Sequence, residues 1–422
     1  MWFDLCKLSR GGRGAEGAAA TSLPPVAKLA KNGYSVSSMQ LLSVLKKDLV
    51  LVISWILALG ALLVVRPGFE FVVASVDLKV ISLLFCLMLV IQALRTTNLL
   101  DYLAAQLLGI CRSTTSLFFV LVFLVFFVSM VITNDVALLT FVPLTILVCQ
   151  HRGISACSLV VLETIAANLG SSVTPMGNPQ NLFLYSFYNF SATEFFSATL
   201  VIGLVSALLL AVAILLVAGK SGGTEVAGTT RQAGEMPSVR IDVRFWLYLV
   251  AFALSLLTVF RVVDYRISLV AVVLIVLVCN ASLFRMVDYG LLGTFAGFFI
   301  FVGCLSAIPQ LARGIEGALV SPFSTYLTGI GMSQLISNVP ASLLLSGFAR
   351  HGRELLLAVN VGGLGTLIAS LASVISFKLY RSCDASCCKQ GFMLPFTLYN
   401  LLFLLLLSPA VWCIAGLFLK KG

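Results

Sequence analysis

The chain has 422 residues, 60% of them hydrophobic and only 10% charged. A water-soluble globular domain is excluded, because too little polar surface exists to cover it, and the class left is an all-α polytopic membrane protein. The formal net charge of +10 does not point to nucleic acid: the basic residues lie between apolar runs, where cytoplasmic Lys and Arg set orientation.

In chain order, residues 1–45 include GGRGAEGAAATSLPP and lack an apolar core of the kind a secretory signal needs, so they predict a disordered cytoplasmic tail, with Met39 as an alternative start. Crossing the hydrocarbon takes about 20 apolar residues. Runs of that kind occur at 49–66, 76–94, 155–189, 195–218, 244–262, 267–284, 289–308, 354–379 and 394–418. Two longer stretches, 115–150 and 315–350, are broken at their centres and predict re-entrant hairpins. Leu99–Leu108 (LLDYLAAQLL) predicts an interfacial amphipathic helix. The polar segment 219–243 predicts a cytoplasmic linker between two membrane repeats, 46–218 and 244–422. Of the 11 cysteines, only Cys383, Cys387 and Cys388 cluster, and with two histidines in the chain a metal centre is not expected.

The two repeats resemble each other internally. Residues 76–94 (VDLKVISLLFCLMLVIQAL) align without a gap on 287–305 (VDYGLLGTFAGFFIFVGCL). AANLGSSVTP (166–175) aligns on AVNVGGLGTL (358–367), pairing Asn168 with Asn360, Gly170 with Gly362 and Thr174 with Thr366. TNDVA (133–137) aligns on SNVPA (337–341). With a cytoplasmic N-terminus the first hairpin opens from inside and the second from outside, the inverted-topology arrangement of secondary transporters, with two broken transmembrane helices at 155–189 and 354–379.

Polar breaks carry the candidate chemistry, because an unpaired backbone group in hydrocarbon costs several kcal/mol and survives only where protein or a wet cavity satisfies it. In NLGSSVTPMGNPQN (168–181), Pro175 and Pro179 each remove a helix donor, while Gly170 and Gly177 permit turns. The freed carbonyls are expected to coordinate a cation. A half-helix starting near Pro179 points its positive end at an anion, with Thr174, Asn178 and Asn181 as side-chain ligands. Thr133, Asn134 and Asp135 form the first hairpin tip, and an intramembrane carboxylate is a functional candidate by default. Asp135 is the first choice for coupling and Glu163 a supporting one; a carboxyl held neutral between helices is the alternative for Glu163. Ser337 and Asn338 form a second tip without a carboxylate. Gly365, Thr366, Ser370 and Ser373 mark the second break, for which close helix packing is the alternative.

ITNDVALLTFVP (132–143) and NLGSSVTPMGNPQNLFLY (168–185) resemble the hairpin-tip and broken-helix signatures of the ion transporter superfamily. Its members include arsenite-efflux permeases, certain Na+/H+ antiporters, citrate transporters and divalent anion/sodium symporters. SNVPASLLL (337–345) and GTLIASLAS (365–373) are similar to the second-half counterparts, and the match runs from about 45 to 418. The resemblance implies a scaffold plus a moving transport domain, alternating access and a homodimer. It places Asn134, Thr174, Gly177 and Asn178 around one ion or substrate region and Asn338, Gly365, Thr366 and Ser370 around the other. Dicarboxylate symporters carry Ser-Asn-Thr at both tips; Thr-Asn-Asp and Ser-Asn-Val here depart from that pattern, and the Asp is shared with the arsenite and antiporter branches.

The expected function is secondary active transport of a small anionic solute, a carboxylate or inorganic oxyanion, with Na+ or H+ as coupling ion, transient Na+ as the one metal and no organic cofactor. A Na+/H+ antiporter or arsenite/antimonite efflux permease is the alternative. A membrane enzyme is disfavoured by the lack of an HExxH motif, a nucleophile elbow or a P-loop, and a passive channel by polar breaks in opposed halves. The expected partners are the solute or ion and the lipid bilayer, without nucleic acid. The expected location is a bacterial-type inner membrane with the N-terminus cytoplasmic.

Overall fold

The structure, a computed structural model, describes residues 49–108, 111, 113–220, 239, 241–383, 386–388 and 391–419. The tail at 1–45 and residues 221–238 of the linker lie outside the described residues. Contacts divide the chain into a unit Met1–Val52, of which only Leu49–Val52 is described, and a unit Ile53–Gly422 that holds every other residue considered below.

Secondary structure among the described residues is helical. The first half runs α1 (Leu49–Val65), α2 (Phe69–Ser75), α3 (Leu78–Arg95), α4 (Leu99–Leu108), α5 (Thr114–Val128), α6 (Asn134–Arg152), α7 (Cys157–Ser171), α8 (Pro179–Phe187) and α9 (Ala192–Lys220). The second half runs α10 (Val243–Val259), α11 (Tyr265–Asn280), α12 (Tyr289–Ser306), α13 (Pro309–Ala318), α14 (Pro322–Ile336), α15 (Asn338–Ser346), α16 (Gly352–Val361), α17 (Leu371–Arg381) and α18 (Met393–Leu419). Short 3-10 turns follow α11 and precede α17 and α18.

Among the described residues, five helical stretches are long and apolar enough to cross a membrane: Leu78–Arg95, Ala192–Ala218, Tyr265–Met286, Tyr289–Ser306 and Met393–Gly416. Their outer faces carry large apolar side chains that a water-soluble fold would hide, such as Leu204, Leu216 and Val278, as lipid-facing helices do. The interrupted segments read from the sequence behave differently. α5 and α7 have 15 residues each, about 22 Å at the α-helical rise and short of the roughly 30 Å hydrocarbon core. α8, α15, α16 and α17 are shorter still.

Corresponding helices of the two halves open on the same caps. The Val-Asp dipeptides that head the first sequence match are N-caps: Asp77 Oδ1 accepts from Val80 N at 3.0 Å and Asp288 Oδ1 from Leu291 N at 2.9 Å. Ser113 with Ser116 and Ser321 with Ser324 form capping boxes at the starts of α5 and α14, satisfying helix donors that have no intrahelical acceptor.

At the centre lie α7 and α16. Nine-tenths or more of each is buried; on α7 only Ser158 is not. Missing side chains let their neighbours close in. A Cβ on Gly170 would lie 2.1 Å from the Phe126 carbonyl oxygen and 2.5 Å from Ser129 Oγ of the α5 segment, and a Cβ on Gly362 would lie 2.8 Å from Ser333 on α14. Ser129 stands five residues before the first tip asparagine and Ser333 five before the second, so each central helix meets its hairpin through the same Gly–Ser contact.

Gly170→Ala is expected to lower the thermal unfolding midpoint of the detergent-solubilised protein, at a cost of about 1–3 kcal/mol, because a backbone carbonyl cannot swing away from the new methyl. Gly60→Ala, where a Cβ meets nothing within 4 Å, is the control, and its midpoint should hold or rise.

Candidate functional site

The first hairpin tip joins the first break through backbone and side chain together. α6 begins at Asn134, with Thr133 as a cap residue whose side chain makes no capping bond. Asn134 N donates to the Gly177 carbonyl at 3.1 Å, and Thr174 Oγ1 donates a short hydrogen bond to the Met130 carbonyl. Gly177 is required there: a Cβ would sit 2.2 Å from the Ser171 carbonyl oxygen. Pro175 is buried in the break. Pro179 occupies the first position of α8 behind its N-cap Asn178, where its missing N–H is no loss.

One backbone N–H at each helix start fixes the direction of a whole chain of amides. Asp135 N donates to Asn134 Oδ1 at 3.0 Å, so Asn134 Nδ2 must face Asn168, whose Oδ1 accepts it at 3.1 Å. Ser370 Oγ donates to the same Asn168 oxygen at 2.8 Å. Asn168 Nδ2 is left buried with no partner, as is Asp135 Oδ1 one residue along from Asn134. In the second chain, Asn181 N donates to Asn178 Oδ1 at 2.9 Å and Asn178 Nδ2 to Asn360 Oδ1 at 3.2 Å. Asn360 Nδ2 donates onward to Asn181 Oδ1 at 2.7 Å. Asn181 Nδ2 then reaches the carbonyls of Ser171, Ser172 and Thr174. The break carbonyls expected to face a cation therefore accept from a side-chain amide in this conformation.

The two breaks exchange their caps. Asn178, which caps α8, donates to Asn360 of the second half, and Ser370, at the N-cap position of α17 without a side-chain capping bond, donates to Asn168 of the first. Asn178 and Ser370 correspond in the register that pairs Asn168 with Asn360, so each cap reaches the central asparagine of the opposite repeat.

At the second tip Ser337 has φ +76 and ψ 152, a region costing a non-glycine residue of order 1–3 kcal/mol. Its N donates to the Ser333 carbonyl at 3.1 Å and its Oγ to the Ala369 carbonyl at 3.3 Å, which hold it there. Asn338 Oδ1 accepts from Val339 N at 2.9 Å, repeating the Asn134–Asp135 bond without the carboxylate. Thr366 Oγ1 donates to the Gln334 carbonyl at 3.2 Å, the counterpart of Thr174 on Met130. Gly365, at φ +102, leaves no room for a Cβ, which would meet Gln334 Oε1 at 2.4 Å. Ser373 is fully buried with no partner for its hydroxyl.

Glu163 lies apart from the tips, fully buried in α7, where Thr145 of α6 donates to Oε1 and Oε2 has no partner. A lone hydroxyl is little compensation for a buried charge, so this pocket suits a protonated carboxyl or one that receives a cation. Three contributors are absent from the sequence-based site: Asn168, Asn360 and Gln334. The first two were visible as an aligned pair of amides in the breaks. Gln334, in a hairpin arm that mixes apolar and hydroxyl side chains, carried no such signal.

The helical fold with its apolar spans defines an integral multi-pass membrane protein, and the comparisons with known proteins make it a membrane transporter. A family model described as citrate transporter matches residues 41–352. An uncharacterized transporter of Methanocaldococcus jannaschii is 32% identical over 313 residues, covering 72% of this chain and 81% of that one. The inner membrane protein YbiR of Escherichia coli is 31% identical over 308 residues with the same coverage. A Dictyostelium discoideum transporter whose name carries arsB is 32% identical over 136 residues, 31% of this chain and 24% of its own. The chain belongs to the citrate transporter family.

Truncating Asn360 to Ala should strand the Asn181 acceptor and leave the Asn178 amide with Ser171 Oγ as its remaining partner, costing about 1–3 kcal/mol for the buried group left unpaired. Asn178→Ala and Asn360→Ala combined should cost less than the sum of the single changes, a coupling readable in a double-mutant cycle of unfolding midpoints.

Proposed function

We propose that the protein is a secondary active transporter that moves a small anionic solute, a carboxylate or an inorganic oxyanion, by alternating access coupled to Na+ or H+. The observation that supports this most is the unspent pair beside Asn134: Asn168 Nδ2, a buried donor suited to an anion, and Asp135 Oδ1, a buried acceptor suited to a proton or cation. Asn168 accepts from Ser370 of the opposite half, and the first tip is tied to it through the Asn134–Asn168 bond. A solute bound there touches both repeats at once, which alternating access requires of a site at the repeat interface. The N-termini of α8 and α17 open at the two breaks and add favourable dipole ends for an anion.

We place the N-terminus on the cytoplasmic side of a cell membrane, with the repeats in opposite orientation; the basic residues between spans and the inner-membrane relative support this. The Na+/H+ antiporter or arsenite/antimonite permease reading is the second choice. The tip carboxylate Asp135 and the arsB-named relative favour it.

Wild-type protein reconstituted in vesicles should take up or exchange at least one of citrate, dicarboxylates, sulfate or arsenite when a Na+ or pH gradient is imposed. Asp135→Asn should abolish the gradient-driven movement while the protein remains folded. Unchanged uptake and unchanged ion dependence in that variant would remove Asp135 from the coupling role.

A further inference from the structure

Both breaks contain carbonyl oxygens gathered around a single nitrogen. In the first, Asn181 Nδ2 lies 3.3 Å from the Ser171 oxygen and 3.0 Å from those of Ser172 and Thr174. An amide nitrogen has two protons, so three carbonyls share two donors. In the second, Gln334 Nε2 lies 2.7 Å from the Gly362 oxygen and 2.9 Å from that of Leu364, with Ile330 at 3.5 Å. Neither amide can be turned around. Asn181 Oδ1 is taken by Asn360 Nδ2, and Gln334 Oε1 accepts from the backbone N–H of Thr366 at 2.9 Å.

The two amides come from positions that do not correspond. In the register of the repeats Ser172 pairs with Leu364, so one equivalent carbonyl is covered in each break. Asn181 would pair with Ser373, whose hydroxyl has no partner, and Gln334 would pair with Met130, which has no donor. The same need is met once from the arm after the break, in α8, and once from the hairpin arm before the tip, in α14. What recurs is an amide in the carbonyl cage, not a residue at a position.

We propose that Asn181 and Gln334 are positioning residues whose side-chain amides occupy, in the two breaks, the place a monovalent cation would take among those carbonyls. Each break then keeps its shape with no ion bound in its cage, and the coupling ion is left to the carboxylate at the first tip. The inference rests on the reading of the breaks as the transport site for its functional meaning, but its test needs no transported solute.

Asn181→Asp and Gln334→Glu keep the side-chain shape and turn each cage into acceptors only. In detergent, each variant should be destabilised in choline chloride and should gain several degrees in unfolding midpoint when NaCl replaces it at equal ionic strength. Wild type should show no such Na+-specific gain. Gln334 is partly exposed, so its variant is the one better able to fold if Asn181→Asp is not. Variants that respond to Na+ no more than wild type, that are as stable as wild type in choline, or that fail to fold in either salt overturn the proposal, because a cation would then not replace the amide. Failure of wild-type vesicles to move any solute would instead sink the transporter reading and leave this result standing.

Discussion

A peptide carbonyl or N–H that leaves a helix among apolar neighbours has to find a partner within the protein, since hydrocarbon offers none. That constraint accounts for the composition of the two breaks. Asparagines, serines, threonines and glycines are concentrated there, beside Pro175 and Pro179, in a chain that is 60% hydrophobic. The glycines bring backbone close to backbone, as Gly177 does against Ser171, and the amides cover what the closeness exposes. Removing the amides and keeping the glycines would leave several carbonyls stranded at once, a cost large against the whole stability of a domain.

Satisfying the breaks with amides also gives the site a direction. An asparagine side chain donates at one atom and accepts at the other, so one backbone N–H at the start of a helix decides every orientation down the line. The line from Asp135 N ends with Asn168 Nδ2 unspent, and the line from Asn181 N closes on the carbonyls of its own break. The first break thus presents a donor and the tip beside it an acceptor. Because Asn178 and Ser370 each reach the other repeat, neither break can change shape without disturbing the other, a link between halves made of contacts and not of proximity alone.

Much of the helical pattern was legible in the chain. The prolines and glycines between Asn168 and Asn181 mark the end of α7 and the start of α8, and LLDYLAAQLL coincides with α4. The Val-Asp match between repeats was visible as a similarity, but its meaning as a pair of N-caps needed the structure. The fate of the freed carbonyls was not legible. Proline and glycine show that a backbone group loses its helical partner; they do not show which side chain from another element takes its place. For Gln334 the sequence is silent, because a single glutamine on a helix looks the same whether it faces a carbonyl cage or a neighbouring helix.

The two tips carry unequal chemistry on a similar bond. Asn134 and Asn338 sit in the same way, each accepting from the N–H of the next residue, at 3.0 and 2.9 Å. That next residue is Asp135 in one half and Val339 in the other. The backbone bond is indifferent to the side chain that follows it, so it forms beside a carboxylate and beside an apolar residue alike, although the preceding residue differs, Thr133 at φ −64 and Ser337 at φ +76. The other break shows the converse: the amide cage recurs although Asn181 and Gln334 occupy unrelated positions. The asparagine-to-backbone bond and the amide among break carbonyls are therefore what both halves hold in common, while the carboxylate of Asp135 belongs to the first tip alone.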